Sequence, residues 1–128
     1  MMFEKLLANT VYLKVFPNRF ELKHIESGKV QVEVSTEPFT TERLLVGHFS
    51  VAENALKRGM NRLYEKRWFA PSPIVIVHPM EKTENGLSEV EDRVLRELAA
   101  GAGARKVIVW VGSDLSDTEV SKLAGYKG

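Results

Sequence analysis

The sequence predicts a small α/β domain built on a mixed five-stranded sheet. The chain has 128 residues, of which 44% are hydrophobic and 27% charged, enough for one ordinary globular core. Segments of alternating polarity near the N-terminus predict strands joined by short turns. Later apolar runs, separated by segments of helical spacing, predict strands joined by helices. We therefore expect a single domain over residues 1–128.

Three strands are predicted in the first third of the chain. Thr10–Phe16 is rich in β-branched and aromatic residues, and Pro17-Asn18 follows it as a turn signal. Residues 19–25 alternate polar and apolar side chains, which is typical of a half-buried strand, and Val30–Val34 alternates again. Short turns between consecutive strands predict an antiparallel meander.

Three segments carry helix signals. The capping-box pattern from Ser50 to Glu53 predicts a helix that runs from Ser50 to about Arg67, in which Gly59 allows a close approach to the sheet. Similar patterns at residues 88–91 and 116–119 predict a second helix and a short third one. The expected buried faces are Ala52, Leu56, Met60 and Leu63 in the first helix; Val90, Val94 and Leu98 in the second; Leu115, Val120 and Leu123 in the third.

Two continuous apolar runs, residues 74–77 and 107–111, predict strands that are buried on both faces. On this basis Trp110 is expected in the core. The helices between the strands require crossover connections, and crossovers give parallel pairing. The element order is then β-β-β-α-β-α-β-α. This order matches, by analogy, the ribonuclease H-like fold on which each lobe of actin is built.

Charge and composition exclude several kinds of site. The formal net charge is +1, so no bulk field draws the chain to nucleic acid, and we do not expect nucleic acid as a partner. Without cysteine, neither disulfides nor cysteine–metal sites can form, and we predict a cytoplasmic protein. His24, His48 and His78 lack metal-site spacing, so we expect no metal site. Helix capping explains Ser50 more simply than a nucleophile–base pair with His48 does.

Three segments resemble the MreB family of bacterial actin-like, rod shape-determining proteins. The first runs from Phe69-Ala70-Pro71-Ser72-Pro73 into the apolar strand to residue 77. The second and third are Glu89-Val90-Glu91-Asp92-Arg93-Val94-Leu95-Arg96-Glu97 and Ala99-Ala100-Gly101-Ala102-Gly103-Ala104-Arg105-Lys106-Val107. The resemblance covers residues 69–111 and implies the first lobe of an actin-like ATPase.

The chain departs from that family at the positions that handle ATP. The family's first hairpin carries an Asp-x-Gly-Thr loop, whereas this chain has Lys14-Val15-Phe16-Pro17, or Glu4-Lys5-Leu6-Leu7 in an alternative register. Where the family has glu-glu-pro after its last strand, this chain has Val111-Gly112-Ser113. The 128 residues match one lobe only. The resemblance therefore implies a non-catalytic protein without a cofactor and without specific binding of magnesium-ATP.

We expect such a lobe to act by binding a protein: an actin-like filament subunit, a second copy of itself, or a cell-shape or division factor. The candidate partner-binding residues are Arg58 and Arg62, four apart on one helix face, with Trp68 and Phe69 beside them. A solvated helix face and a core aromatic pair are the alternative interpretations. The alternative function is a small nucleotide- or nucleic-acid-binding protein with an unrecognised site.

The two ends of the chain bear on assembly. An N-terminal segment with Met1, Met2, Phe3, Leu6 and Leu7 fits either a terminal turn or a weak contact with the inner membrane. Exposed sheet surface in a lone lobe predicts self-association at high concentration. The third predicted helix offers the alternative, because it could fold back and cover the exposed edge.

Overall fold

The computed structural model describes residues 8–65 and 71–126, which contain five strands and three helices. Their order is the predicted one. The elements are β1 Thr10–Phe16, β2 Arg19–His24, β3 Val30–Val34, α1 Phe49–Leu63, β4 Ile74–Pro79, α2 Glu89–Gly101, β5 Lys106–Val109 and α3 Asp117–Leu123.

One mixed sheet joins the five strands in the order β3-β2-β1-β4-β5. The short turns make β1, β2 and β3 antiparallel, and the helical crossovers make β1, β4 and β5 parallel. This arrangement confirms the predicted small α/β domain with a mixed sheet. It also leaves β3 and β5 as the two edge strands.

The two faces of the sheet are covered to different extents. On one face α1 and α2 pack over a large core that contains Val11, Leu13, Val15, Phe20, Leu22, Val75 and Val77. On the other face the short α3 contributes Val120 to a smaller cluster around Tyr12, Ile74 and Ile76. α3 packs over the middle of the sheet and leaves Val30, Val32 and Val34 of β3 exposed. The expected apolar side of this helix is confirmed, with Val120 fully buried.

The first helix begins and ends earlier than predicted. It starts at Phe49 with His48 as its N-cap, and no side chain caps it, so the predicted capping box at Ser50 is wrong. Ser50 instead lies inside the first turn. The helix ends at Leu63 and not near Arg67, and residues 66 and 67 lie outside the described part of the chain. The expected buried face of α1 is confirmed.

Both other capping boxes are confirmed. Ser88 and Ser116 each accept the backbone N–H of a glutamate three residues on, and each glutamate accepts the serine's own N–H. The expected burial of Val90 is wrong, because this side chain is 71% exposed. α2 meets the core through its later turns, at Leu95 and Leu98, so its first turn projects past the core.

Gly59 has the predicted role of allowing close helix–sheet approach. A Cβ atom at this position would lie 3.1 Å from Glu33 Cβ and 3.2 Å from Leu22 Cδ1. Without a side chain at Gly59, α1 rests directly on β2 and β3.

The last strand is shorter and less buried than predicted. β5 spans Lys106–Val109 at the sheet edge, and its apolar residues are only half-buried. An edge strand has one neighbour, and a continuous apolar run does not specify whether a strand is central. Trp110 follows the strand, half-buried against the α3 cluster, and its indole N–H donates to the carbonyl of Ser113.

Candidate functional site

A buried polar cluster joins the middle of β1 to the carboxyl end of β4. The Tyr12 hydroxyl is 2.7 Å from His78 Nδ1, and His78 Nε2 is 2.9 Å from the carbonyl oxygen of Gly112. The backbone N–H of Leu115 donates to the Tyr12 oxygen at 3.2 Å. We call Tyr12, His78 and these two loop groups the Tyr12–His78 cluster.

The hydrogen bonds determine the proton positions in this cluster. A carbonyl oxygen only accepts, so His78 Nε2 carries the proton, and Nδ1 then accepts from the Tyr12 hydroxyl. Burial lowers the pKa of His78 below its ordinary value of 6.5. Burial likewise raises the pKa of Tyr12 above 10.0. Both groups are therefore neutral near pH 7, and their ring nitrogens and hydroxyl are all occupied.

Lys14 and the loop after residue 111 lie beside this cluster. Lys14 on β1 lies 3.5 Å from Asp114, just beyond Gly112, and its Nζ is 5.4 Å from the centre of the Tyr12 ring. Parallel strands place their carboxyl ends at one edge, which explains why β1 and the loop after β5 meet here.

The candidate partner-binding arginines lie over a buried carboxylate. Arg62 Nη1 donates to both oxygens of Glu33, at 2.9 and 3.1 Å, and Arg58 Nε lies 3.5 Å from one of them. The Glu33 side chain is 4% exposed, whereas those of Arg58 and Arg62 are 42% and 57% exposed. The predicted shared face is confirmed, and part of its positive charge is offset by Glu33. Trp68 and Phe69 lie outside the described residues.

An apolar surface runs along the edge strand β3. Val30, Val32 and Val34 are 55%, 46% and 61% exposed, and they share the sheet face opposite α1. Glu33 lies between Val32 and Val34 in the sequence and points to the opposite face, toward α1. The predicted alternation of side chains along β3 is confirmed. A period of two does not specify which face of the strand is buried. We call Val30, Val32 and Val34 the valine strip.

A second apolar surface is a groove beside the first turn of α2. It is lined by Leu44, Leu87, Val90 and Val94, and Leu44 is 41% exposed.

Within residues 8–65 and 71–126, no set of histidine, aspartate and glutamate side chains is placed to hold a metal ion. In the same residues, no helix has the length and apolar character needed to cross a membrane.

Comparison with known proteins places the chain in a family. No established family model matches it. Over 104 residues it is 33% identical to the "Uncharacterized protein YjaA" of Escherichia coli (strain K12), an alignment that covers 77% of this chain and 80% of YjaA. The chain belongs to the YjaA family. The name of YjaA carries no activity, so a function for this member has to be argued from its own surfaces.

Proposed function

We propose that this YjaA-family chain is a non-catalytic relative of one MreB lobe, with a ribonuclease H-like fold, and that it acts by binding a protein. The partner is an actin-like filament subunit or a second copy of the chain. The protein acts in the cytoplasm, where the N-terminal segment can add a weak contact with the inner membrane. The observation that carries this proposal is the valine strip, which leaves apolar side chains exposed along an edge strand that pairs only with β2 in the described part of the chain.

The strand arrangement supports the proposed fold. An antiparallel meander is followed by two strands that pair in parallel with its first strand, and helices separate these strands. The ribonuclease H-like fold has, by analogy, the same element order.

The Tyr12–His78 cluster supports a role without nucleotide. Phosphate groups bind where backbone N–H groups and small residues leave them room. Here the Leu115 N–H donates to the Tyr12 oxygen, and Lys14 forms an ion pair with Asp114, so both groups already have partners within the chain. Calorimetry with ATP and magnesium tests this point. We expect no binding, and a low micromolar dissociation constant would contradict it.

Co-sedimentation tests the binding role. A purified MreB-family protein is polymerised, mixed with this chain and pelleted, and we expect the chain in the pellet. The Val32→Lys variant places a charge in the valine strip and should remain in the supernatant. Val111→Lys is the control and should still pellet, because Val111 is 41% exposed and follows β5, the edge strand opposite β3. If the wild type neither pellets nor self-associates, the binding role is wrong.

A further inference from the structure

Along the outer edge of β3, the backbone groups of the valine-strip residues pair with no other strand within residues 8–65 and 71–126. Ser35 N–H donates to the carbonyl of Asn18, and His24 N–H donates to that of Lys29, so these residues bond within the β2–β3 pair. In an antiparallel pair, successive residues point their backbone N–H and C=O groups alternately toward the partner strand and away from it. Because Lys29 and Ser35 both bond toward β2, the odd-numbered residues between them do so as well. It follows that the N–H and C=O groups of Val30, Val32 and Val34 point away from β2, out of the sheet.

This edge has few of the features that prevent pairing with another strand. Natural edge strands are commonly protected by lysine, proline, a bulge or an inward charge. β3 has neither lysine nor proline, and its register with β2 is unbroken. Its one charge, Glu33, faces α1 and is paired there with Arg62 and Arg58. The pairing offsets the charge of that carboxylate, so Glu33 does not leave an unpaired negative charge beside an added strand.

The sequence of β3 is complementary to itself in the antiparallel direction. If Val32 lies opposite Val32 of a second copy, Val30 lies opposite Val34, and Gln31 lies opposite Glu33. The three valine pairs would then extend one apolar surface across both copies. Each Gln31 amide, which in the single chain donates to the Val32 carbonyl at 3.1 Å, would face a carboxylate. No glutamate would face a glutamate.

We propose that β3 is a dimerisation strand, and that two copies of this chain pair their β3 edges antiparallel about a twofold axis at Val32. This inference rests on the binding role proposed above and identifies the partner as a second copy. Each valine pair would exchange both backbone hydrogen bonds, because these backbone groups point outward, and the Val32 carbonyl would accept from the second copy in place of the Gln31 amide. The two α1 helices would lie on one face, with each arginine pair held by its own Glu33.

The oligomeric state across a hundredfold dilution tests the proposal. Light scattering of the wild type should give twice the 14.4 kDa of one chain at high concentration and a lower mass on dilution. Val32→Lys sets two like charges opposite each other on the axis and should raise the dimer dissociation constant at least about tenfold. Val111→Lys, at the far edge, should leave the constant unchanged. Circular dichroism verifies that each variant is folded.

A mixing experiment tests the register. The Val32→Lys and Val32→Glu chains should each be monomers, and an equal mixture should recover the dimer, since residue 32 of one copy meets residue 32 of the other. The chain has no cysteine, so a single Val32→Cys variant gives an independent test without a charge. Directly opposed residues of such a pair have Cα atoms about 5.5 Å apart, within the range of a disulfide. Val32→Cys should form a dimer on oxidation faster than Val111→Cys.

Each other outcome overturns the proposal. A wild type that remains at 14.4 kDa throughout excludes the dimer, while co-sedimentation with filaments would leave the binding role intact. A dimer unaffected by Val32→Lys uses another surface. A mixture that fails to recover the dimer excludes the axis at Val32. If the chain remains a monomer and its valine strip binds a different protein, the partner of β3 is a strand of that protein and not a second copy.

Discussion

Replacing Arg62 by methionine should destabilise the fold through the buried Glu33. Arg62 Nη1 donates to both Glu33 oxygens, at 2.9 and 3.1 Å, and the Glu33 side chain is 4% exposed. A hydrogen bond to a charged group contributes about 1.5–3 kcal/mol. The lower half of that range applies, because Arg62 is 57% exposed and Arg58 still contacts the carboxylate. We expect the free energy of unfolding to fall by about 1.5–2 kcal/mol.

Lys57→Met is the matched control on the same helix. Lys57 lies 3.5 Å from Glu53 in an exposed pair four residues apart, and such pairs contribute about 0.3–0.5 kcal/mol. Lysine, arginine and methionine have similar helix propensities, so backbone preference does not separate the two variants. Urea unfolding followed by circular dichroism gives both free energies.

A double-mutant cycle isolates the Arg62–Glu33 contact. In a Glu33→Gln background, the carboxylate charge is gone, and Arg62→Met should cost about 1 kcal/mol less than in the wild type. If Arg62→Met destabilises no more than Lys57→Met, or if its cost is the same in both backgrounds, Glu33 does not depend on Arg62 and the reasoning is wrong.

Three further predictions follow from the described contacts. Gly59→Val should lower the free energy of unfolding by about 1–3 kcal/mol in urea, because its side chain would overpack the α1–sheet contact; an unchanged midpoint would contradict this. Ser88→Ala should cost about 1 kcal/mol in the same assay through its lost cap, whereas Ser50→Ala, inside a helix, should be neutral or slightly stabilising; equal costs would refute the assignment of caps. Burial holds the pKa of His78 below its ordinary 6.5, so the unfolded chain binds a proton that the folded chain does not, and stability should fall as pH drops below about 6.5. His78→Gln should remove this part of the pH dependence, and identical pH profiles would exclude it.

The sequence by itself determined the elements of this protein. The order of strands and helices along the chain, the buried face of α1, the capping boxes at Ser88 and Ser116, and the close approach at Gly59 all follow from local patterns. These features depend on spacing along one segment, and spacing is fully present in the chain. The start of α1 was missed because Ser50 carries the same signal as Ser88 without serving as a cap.

Only the tertiary structure decided which surface remains open. Alternation in β3 is equally compatible with valines inside or outside, and the choice depends on α1, which brings Arg58 and Arg62 over Glu33. The position of a strand in the sheet is likewise a property of all strands together, which is why β5 was predicted to be buried on both faces and is a half-buried edge strand. The Tyr12–His78 contact joins residues 66 apart in the chain, and no local pattern encodes such a pairing. The valine strip is exposed for the same reason: α3 packs over the middle of the sheet, where Val120 is buried beside Tyr12 and Ile76, and it leaves Val30, Val32 and Val34 uncovered.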